Sequence, residues 1–148
     1  MKFATLNLRH HQDRWEERFP LVVQTLLDAD ADIIGLQEVS IKLGPKNQAE
    51  LIADEINKVS GKTPYTVYFT LTRELTRDQE GIAILSRIPP KNADSMALPG
   101  PWRVAQMITV EIEGHTLGFA NTHLHHEPWT NESVRLPQAQ AFLEWVNA

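Results

Sequence analysis

The sequence predicts a layered α/β domain. Segments of helical and strand periodicity alternate along its first half, and strand-like segments dominate its second half before a closing helix. The chain has 148 residues, which suits one domain of ordinary size, and no repeat, low-complexity tract or linker divides it. We therefore expect residues 1–148 to form a single layered sandwich, with a mixed sheet and helices on one of its faces.

The first elements are predicted to be a strand, a helix and a strand. Residues 2–8 are strand-like, and apolar residues then recur at helical spacing over 19–28, with Pro20 expected in the first turn of the helix. Residues 33–36 are a short apolar run that ends in two polar residues. Such a run is typical of a strand that is buried on both faces.

A second helix and further strands follow. Residues 51–59 have helical spacing, Asn47 and Glu50 are spaced as a capping box, and Gly61 is placed as a C-terminal cap. Strand-like segments then cover residues 65–71, 81–86, 104–112 and 116–122, the last two joined by a turn at 113–115. Prolines and a glycine interrupt residues 89–101.

Composition excludes several classes of protein. Hydrophobic residues make up 42% and charged residues 22%, which is typical of a globular chain, and no apolar run approaches the roughly 20 residues of a membrane-spanning helix. The absence of cysteine excludes disulfides and thiolate metal sites, and it fits a cytoplasmic protein. A formal net charge of −5 provides no global basic field to attract nucleic acid, although an enzyme can still meet phosphate through a bound cation.

Polar side chains follow three of the predicted strands. Asn7 ends the first, Glu38 follows the apolar run, and His123 follows the strand near residue 120. Each has a simpler interpretation when taken alone: a turn residue, a solvated strand end and a hydrogen-bonded structural histidine, respectively. Together they predict one polar site above the sheet.

Four short motifs occur in order along the chain. They are Thr-Leu-Asn at 5–7, Ile-Gly-Leu-Gln-Glu-Val at 34–39, Glu-Gly-Ile-Ala-Ile-Leu-Ser-Arg at 80–87 and Asn-Thr-His-Leu at 121–124. In this order and spacing they resemble the endonuclease/exonuclease/phosphatase (DNase I-like) superfamily. The resemblance implies the N-terminal half of the four-layer DNase I-like fold. It also implies a divalent-metal-dependent phosphoesterase, either a nuclease or a phosphatase.

The resemblance implies a role for each matching residue. Glu38 would bind a catalytic Mg²⁺ or Mn²⁺, and Asn7 beside it would orient phosphate or the metal-bound water. His123 would contact the scissile phosphate and oppose the charge that develops on its oxygens. Arg103 and Asn121 would bind substrate phosphate. The reaction would be in-line attack of water on a phosphodiester or phosphomonoester, with nucleic acid as one candidate substrate.

The second half of the family pattern is not found. Nothing after His123 matches its Asp-x-Asn motif, whose aspartate activates the nucleophilic water, or its Ser-Asp-His motif. The last helical pattern begins near Leu136 or Pro137 and is still running at Ala148. We therefore expect an apparently truncated domain that supplies little more than the first sheet. The alternatives are that self-association or a second chain completes the fold, or that the chain is a natural remnant with a binding role.

Two other classes of function stay open. A non-catalytic half-domain would keep these motifs for packing, act as a binding or assembly module, and show no dependence on metal. A zinc hydrolase would use His123, His125 and His126, since imidazole suits zinc, although Glu127 and Pro128 replace the aspartate that such a motif requires.

Overall fold

The computed structural model describes residues 1–42, 44–72 and 79–148, and in them it contains a four-stranded sheet, a three-stranded sheet and three helices. In chain order the elements are β1 (Phe3–Asn7), α1 (Trp15–Ala29), β2 (Ile33–Ser40), α2 (Gln48–Val59), β3 (Thr66–Leu71), β4 (Glu80–Ser86), β5 (Pro90–Ala97), β6 (Val104–Ile112), β7 (His115–Thr122) and α3 (Arg135–Val146). The predicted layered α/β class is confirmed.

The first sheet has the strand order β1-β2-β4-β3. β1 runs parallel to β2, as expected of strands connected through a helix, and β4 runs antiparallel to both of its neighbours. Gly81 allows the close approach of β3 to β4, because a Cβ there would lie 2.3 Å from the Thr70 carbonyl oxygen. The sheet is therefore mixed, as predicted.

Helices α1 and α2 cover one face of this sheet. Their apolar residues form the larger core with Ile34, Leu36 and Leu85 of the central strands. The predicted capping box is confirmed, since the Asn47 side chain accepts a hydrogen bond from the Glu50 N–H and the Glu50 carboxylate accepts one from the Asn47 N–H. α2 thus starts at a defined residue beside the end of β2.

The second sheet packs on the opposite face of the first. It is antiparallel with the order β5-β6-β7, and the smaller core between the sheets contains Ile33, Ile84, Ile108 and Val110. Glu113 and Gly114 form the two-residue turn between β6 and β7, both with positive φ, as such hairpins require. The chain therefore supplies two packed sheets.

Three sequence-based expectations need correction. The chain supplies more than the first sheet, and β5 was not predicted, because its side chains are mostly exposed and polar and give no apolar alternation. Pro20 lies inside α1 rather than in its first turn, since the helix begins at Trp15, whose side chain is buried.

None of the helices in the described ranges is long and apolar enough to cross a membrane.

Candidate active site

A β-bulge places Glu38. The pairing of β2 with β4 shifts register between Leu36 and Val39, and Glu38 adopts φ 51°, a left-handed conformation that costs energy for a residue other than glycine. The peptide oxygen of Glu38 accepts a hydrogen bond from the His10 N–H at 3.1 Å. The bulge is thus tied to the segment that follows β1.

Asn7 holds the Glu38 carboxylate. Its Nδ2 donates a hydrogen bond to Glu38 Oε1 at 3.0 Å, and its Oδ1 accepts one from the Arg9 N–H at 2.8 Å. Since the second bond assigns the amide oxygen, the amide nitrogen must face Glu38. The predicted pair of Asn7 and Glu38 is therefore in contact.

Two long side chains fix the segment between β1 and α1. The Arg18 guanidinium donates hydrogen bonds to the carbonyl oxygens of Leu8, His10, Gln12 and Asp13. The fully buried Gln48 donates to the His10 carbonyl at 2.7 Å and accepts from the Ser40 N–H at 2.8 Å. Gln48 thus connects this segment to the end of β2.

Arg103 connects Glu80 to His123. Its Nη1 lies 3.3 Å from Glu80 Oε1 and 3.0 Å from His123 Nδ1, and the residue is 5% exposed. Because a guanidinium only donates, His123 Nδ1 must accept, and the ring proton of the neutral histidine lies on Nε2. That nitrogen lies 3.9 Å from Glu38 Oε1.

The pKa values of His123 and Glu80 are both shifted downward. Burial lowers the pKa of His123 and the charge of Arg103 lowers it further, while Glu38 and Glu80 act in the opposite direction. Burial acts to raise the pKa of Glu80, but the nearby His10, Arg103 and His123 outweigh it, so this pKa lies below its usual value. At neutral pH, His123 is therefore neutral and Glu80 is ionised.

His10 and Glu80 complete the cluster, although sequence reasoning assigned neither of them. His10 Nε2 lies 3.2 Å from Glu38 Oε2 and 3.0 Å from Glu80 Oε2. His10 borders an open cleft of about 680 Å³, which is also lined by Asn7, Arg9, Gln12, Glu38 and His126. Glu80 begins the third sequence motif, and this was the available signal for it, but the motif alone does not indicate that its carboxylate reaches the site.

Of the predicted site residues, Asn7, Glu38, Arg103 and His123 come together, whereas Asn121 is used elsewhere. Its amide nitrogen donates to the Leu36 and Ala83 carbonyl oxygens at 3.0 Å each, and its Oδ1 accepts from Gln37 Nε2 at 2.7 Å. These bonds join the two sheets. A phosphate contact by Asn121 stays a prediction and would require one of them to break.

The histidines after β7 do not form a zinc site among the described residues. His10, Glu38 and Glu80 are the group of potential ligands that converges there, and His125 and His126 do not join His123 in a comparable group. His125 is buried beside the edge of Trp102, while the exposed His126 stacks toward Trp129. This geometry favours the site around Glu38 over the zinc-hydrolase alternative.

The fold and the cluster define a class of protein. The sequence profile of the endonuclease/exonuclease/phosphatase family matches residues 4–148, so the chain belongs to that family. The predicted resemblance is confirmed. No curated protein matches the sequence significantly.

Several solved structures share the fold. An endonuclease/exonuclease/phosphatase family protein from Leptotrichia buccalis is 20% identical with a TM-score of 0.79, over 97% of this chain and 62% of that one. TDP2 from D. rerio, complexed with a single-strand DNA product, is 14% identical with a TM-score of 0.74, over 99% of this chain and 54% of that one. ANGEL2, a 2′,3′-cyclic phosphatase, is 19% identical with a TM-score of 0.68, over 92% of this chain and 44% of that one. The chain therefore spans less than two thirds of the length of these structures.

Proposed function

We propose that this protein is a divalent-metal-dependent phosphoester hydrolase. The observation that carries the proposal is the convergence of Asn7, Glu38 and His123, which lie on or directly after three separate strands, beside the cleft that Asn7 and Glu38 line. Family membership supports a phosphoesterase in general terms. The metal requirement and the residue roles are our inference from the geometry.

The side chains present fit a divalent cation. Three potential ligand atoms, one each from His10, Glu38 and Glu80, lie within 4.8 Å of one another. Glu80 Oε2 is buried and lies 3.0 Å from the His10 nitrogen. A buried carboxylate is costly unless positive charge or hydrogen bonds compensate it. When bound there, the cation would polarise a phosphoryl oxygen and stabilise the leaving alkoxide.

Each residue would then have a defined task. Asn7 holds one oxygen of Glu38, so the other oxygen stays directed at the cation position. Arg103 occupies Nδ1 of His123, so that Nε2 presents an N–H to a phosphoryl oxygen in the cleft. Its own guanidinium is buried, so we infer that Arg103 positions His123 and adds positive charge rather than grasping phosphate. This interpretation refines the predicted phosphate contact of Arg103.

The substrate is proposed at the level of its chemistry. The structure of TDP2 contains a single-strand DNA product, and ANGEL2 is named as a 2′,3′-cyclic phosphatase. We propose a phosphodiester or phosphomonoester in nucleic acid as the substrate class for this chain. The negative net charge makes local contacts with the cation and His123 more important than a general attraction to the polyanion.

Activation of the attacking water would come from outside these 148 residues. Among the acidic residues of the described cluster, Glu38 and Glu80 are engaged with His10, Asn7 and Arg103, which leaves no carboxylate free to act as a general base. We propose that a further segment or a second chain supplies this group. The same addition would complete the fold.

Hydrolysis of bis(p-nitrophenyl) phosphate and of a single-stranded oligonucleotide tests the proposal. Both the 148-residue chain and the longest natural chain containing it are assayed with Mg²⁺, with Mn²⁺ and with EDTA. We expect metal-dependent hydrolysis, strongest in the longest chain. Glu38→Gln and His123→Ala should each lower the rate by at least about 100-fold, as expected for groups that stabilise the transition state.

His11→Ala provides the matched control. His11 neighbours the cluster in sequence, but its ring contacts the Ser40 hydroxyl instead. Its rate should stay within about threefold of the parent. Hydrolysis that persists in EDTA, or a full rate in Glu38→Gln, would contradict the proposal, and circular dichroism confirms that each variant is folded.

A further inference from the structure

His10 and Glu80 meet Glu38 in a way that the predicted family roles do not explain. His10 leads out of β1, Glu38 lies on the bulge of β2, and Glu80 begins β4. We propose that these three side chains are the protein ligands of one cation site, and that the site prefers Mn²⁺ to Mg²⁺. The proposal rests on the proposed function for Glu38 as a metal ligand, and it adds the other two ligands and the identity of the metal.

The two separations measured from the His10 nitrogen can be compared with adjacent corners of an octahedron. Ligands at roughly 2.1 Å from a metal, at right angles to each other, lie about 3.0 Å apart. His10 Nε2 is 3.2 Å from Glu38 Oε2 and 3.0 Å from Glu80 Oε2. A tetrahedral ion with the same bond length would need about 3.4 Å, so the 3.0 Å separation is nearer the octahedral value and the 3.2 Å separation lies between the two.

The surroundings of Glu80 Oε2 are consistent with the same interpretation. This oxygen is buried and lies 3.0 Å from the His10 nitrogen. A cation bound to both atoms would replace the polar contact between them.

In each of the two carboxylates, one oxygen already contacts a neighbouring side chain. Glu38 Oε1 accepts from Asn7 and Glu80 Oε1 faces Arg103, so each carboxylate has one oxygen left for the cation. Two carboxylates beside one arginine also leave a net negative charge when His10 is neutral. The local charge therefore favours a dication.

The backbone holds the ligands in place before a cation binds. His10 and Glu38 both adopt left-handed conformations, with φ of 52° and 51°, and the N–H of one donates to the carbonyl of the other. Such conformations persist only where the surroundings impose them, here through Gln48 and Arg18 on the His10 carbonyl. This arrangement reduces the ordering needed on binding.

The ligand types decide between the two metals. Both ions bind carboxylate oxygens, but Mg²⁺ takes oxygen ligands almost exclusively and retains most of its waters, whereas Mn²⁺, as a transition-metal ion, accepts a nitrogen ligand more readily. One imidazole with two carboxylates therefore favours Mn²⁺ over Mg²⁺. Removal of the imidazole should reduce this preference and leave a site made of oxygen ligands.

Titration of Mn²⁺ followed by the electron paramagnetic resonance signal of the free ion tests the proposal, with Mg²⁺ as competitor. We expect the parent chain to bind one Mn²⁺, and His10→Ala and Glu80→Gln each to weaken binding by at least about tenfold. His11→Ala should bind as the parent does. Mg²⁺ should also displace Mn²⁺ from His10→Ala more effectively than from the parent.

His10→Asn is a second variant, because asparagine tolerates the left-handed backbone better than alanine. Equal Mn²⁺ affinity in the parent and in folded His10 or Glu80 variants would overturn the site, as would failure of the parent to bind Mn²⁺. Binding lost only in Glu38→Gln would leave the proposed hydrolase intact, with its metal held by Glu38 and without these two ligands.

Discussion

Gln48→Leu removes the side chain that connects the segment after β1 to the end of β2. The Gln48 side chain is fully buried, accepts from the Ser40 N–H at 2.8 Å and donates to the His10 carbonyl at 2.7 Å. Leucine has a similar size and keeps the helix, so the substitution isolates the loss of the two hydrogen bonds.

The expected loss in free energy of unfolding is about 3 kcal/mol. A buried polar group without its partner costs about 1–3 kcal/mol. The Ser40 N–H loses its acceptor, whereas the His10 carbonyl keeps a longer bond from Arg18 at 3.3 Å, so its contribution lies at the low end. For a domain of this size, about 3 kcal/mol corresponds to a melting temperature lower by roughly 6–12 °C.

Urea unfolding followed by circular dichroism measures the effect, with the dependence on urea concentration compared between variants. Gln24→Leu is the matched control, because Gln24 lies exposed on α1 and bonds only the neighbouring Asp28 side chain. It should stay within about 0.5 kcal/mol of the parent. A loss below about 0.5 kcal/mol in Gln48→Leu would refute the reasoning.

Three further predictions concern packing and protonation. Gly81→Ala would place a carbon 2.3 Å from a backbone oxygen of β3, so it should cost about 3 kcal/mol of stability or prevent folding. At Gly118 the added carbon meets a methionine sulfur at 3.5 Å, so Gly118→Ala should cost under about 1 kcal/mol. Similar urea midpoints for the two variants would contradict this prediction. Asn121→Ala removes three of the hydrogen bonds that join the sheets and should lower the free energy of unfolding by about 2–4 kcal/mol, and an unchanged melting temperature would contradict this structural role. The pKa of His123 is lowered in the folded chain, so as the pH falls the unfolded chain binds a proton at this residue before the folded chain does. The contribution of neutral His123 to the free energy of unfolding should therefore be fully present above about pH 6.5 and be lost as the pH falls below that value. NMR titration of the ring protons measures this pKa, and a value above about 6.5 would contradict the prediction.

Strands and helices with strong apolar periodicity could be predicted from the sequence. The central strands of the first sheet are continuous apolar runs, and the capping box of α2 is a local signal that needs no tertiary information. β5 could not be predicted in the same way, because an exposed edge strand carries polar side chains on both faces and is held by its pairing with β6.

The candidate site shows the same limit. Asn7, Glu38 and His123 could be singled out because each follows an apolar strand and matches a motif. His10 and Glu80 could not, because their meeting depends on a bulge and on left-handed residues that periodicity does not encode. Asn121 was assigned to phosphate by its motif, whereas its hydrogen bonds to two carbonyl oxygens of the other sheet depend on tertiary packing.

The left-handed conformation of Glu38 sets stability against activity at a single position. A non-glycine residue there costs on the order of 1 kcal/mol or more. Glu38→Gly removes this cost, so we expect an inactive protein that is as stable as the parent or more so. A screen for thermal stability alone would therefore enrich variants that have lost the site, whereas a screen run with the metal present would retain it, because binding to the folded state restores the advantage of the glutamate.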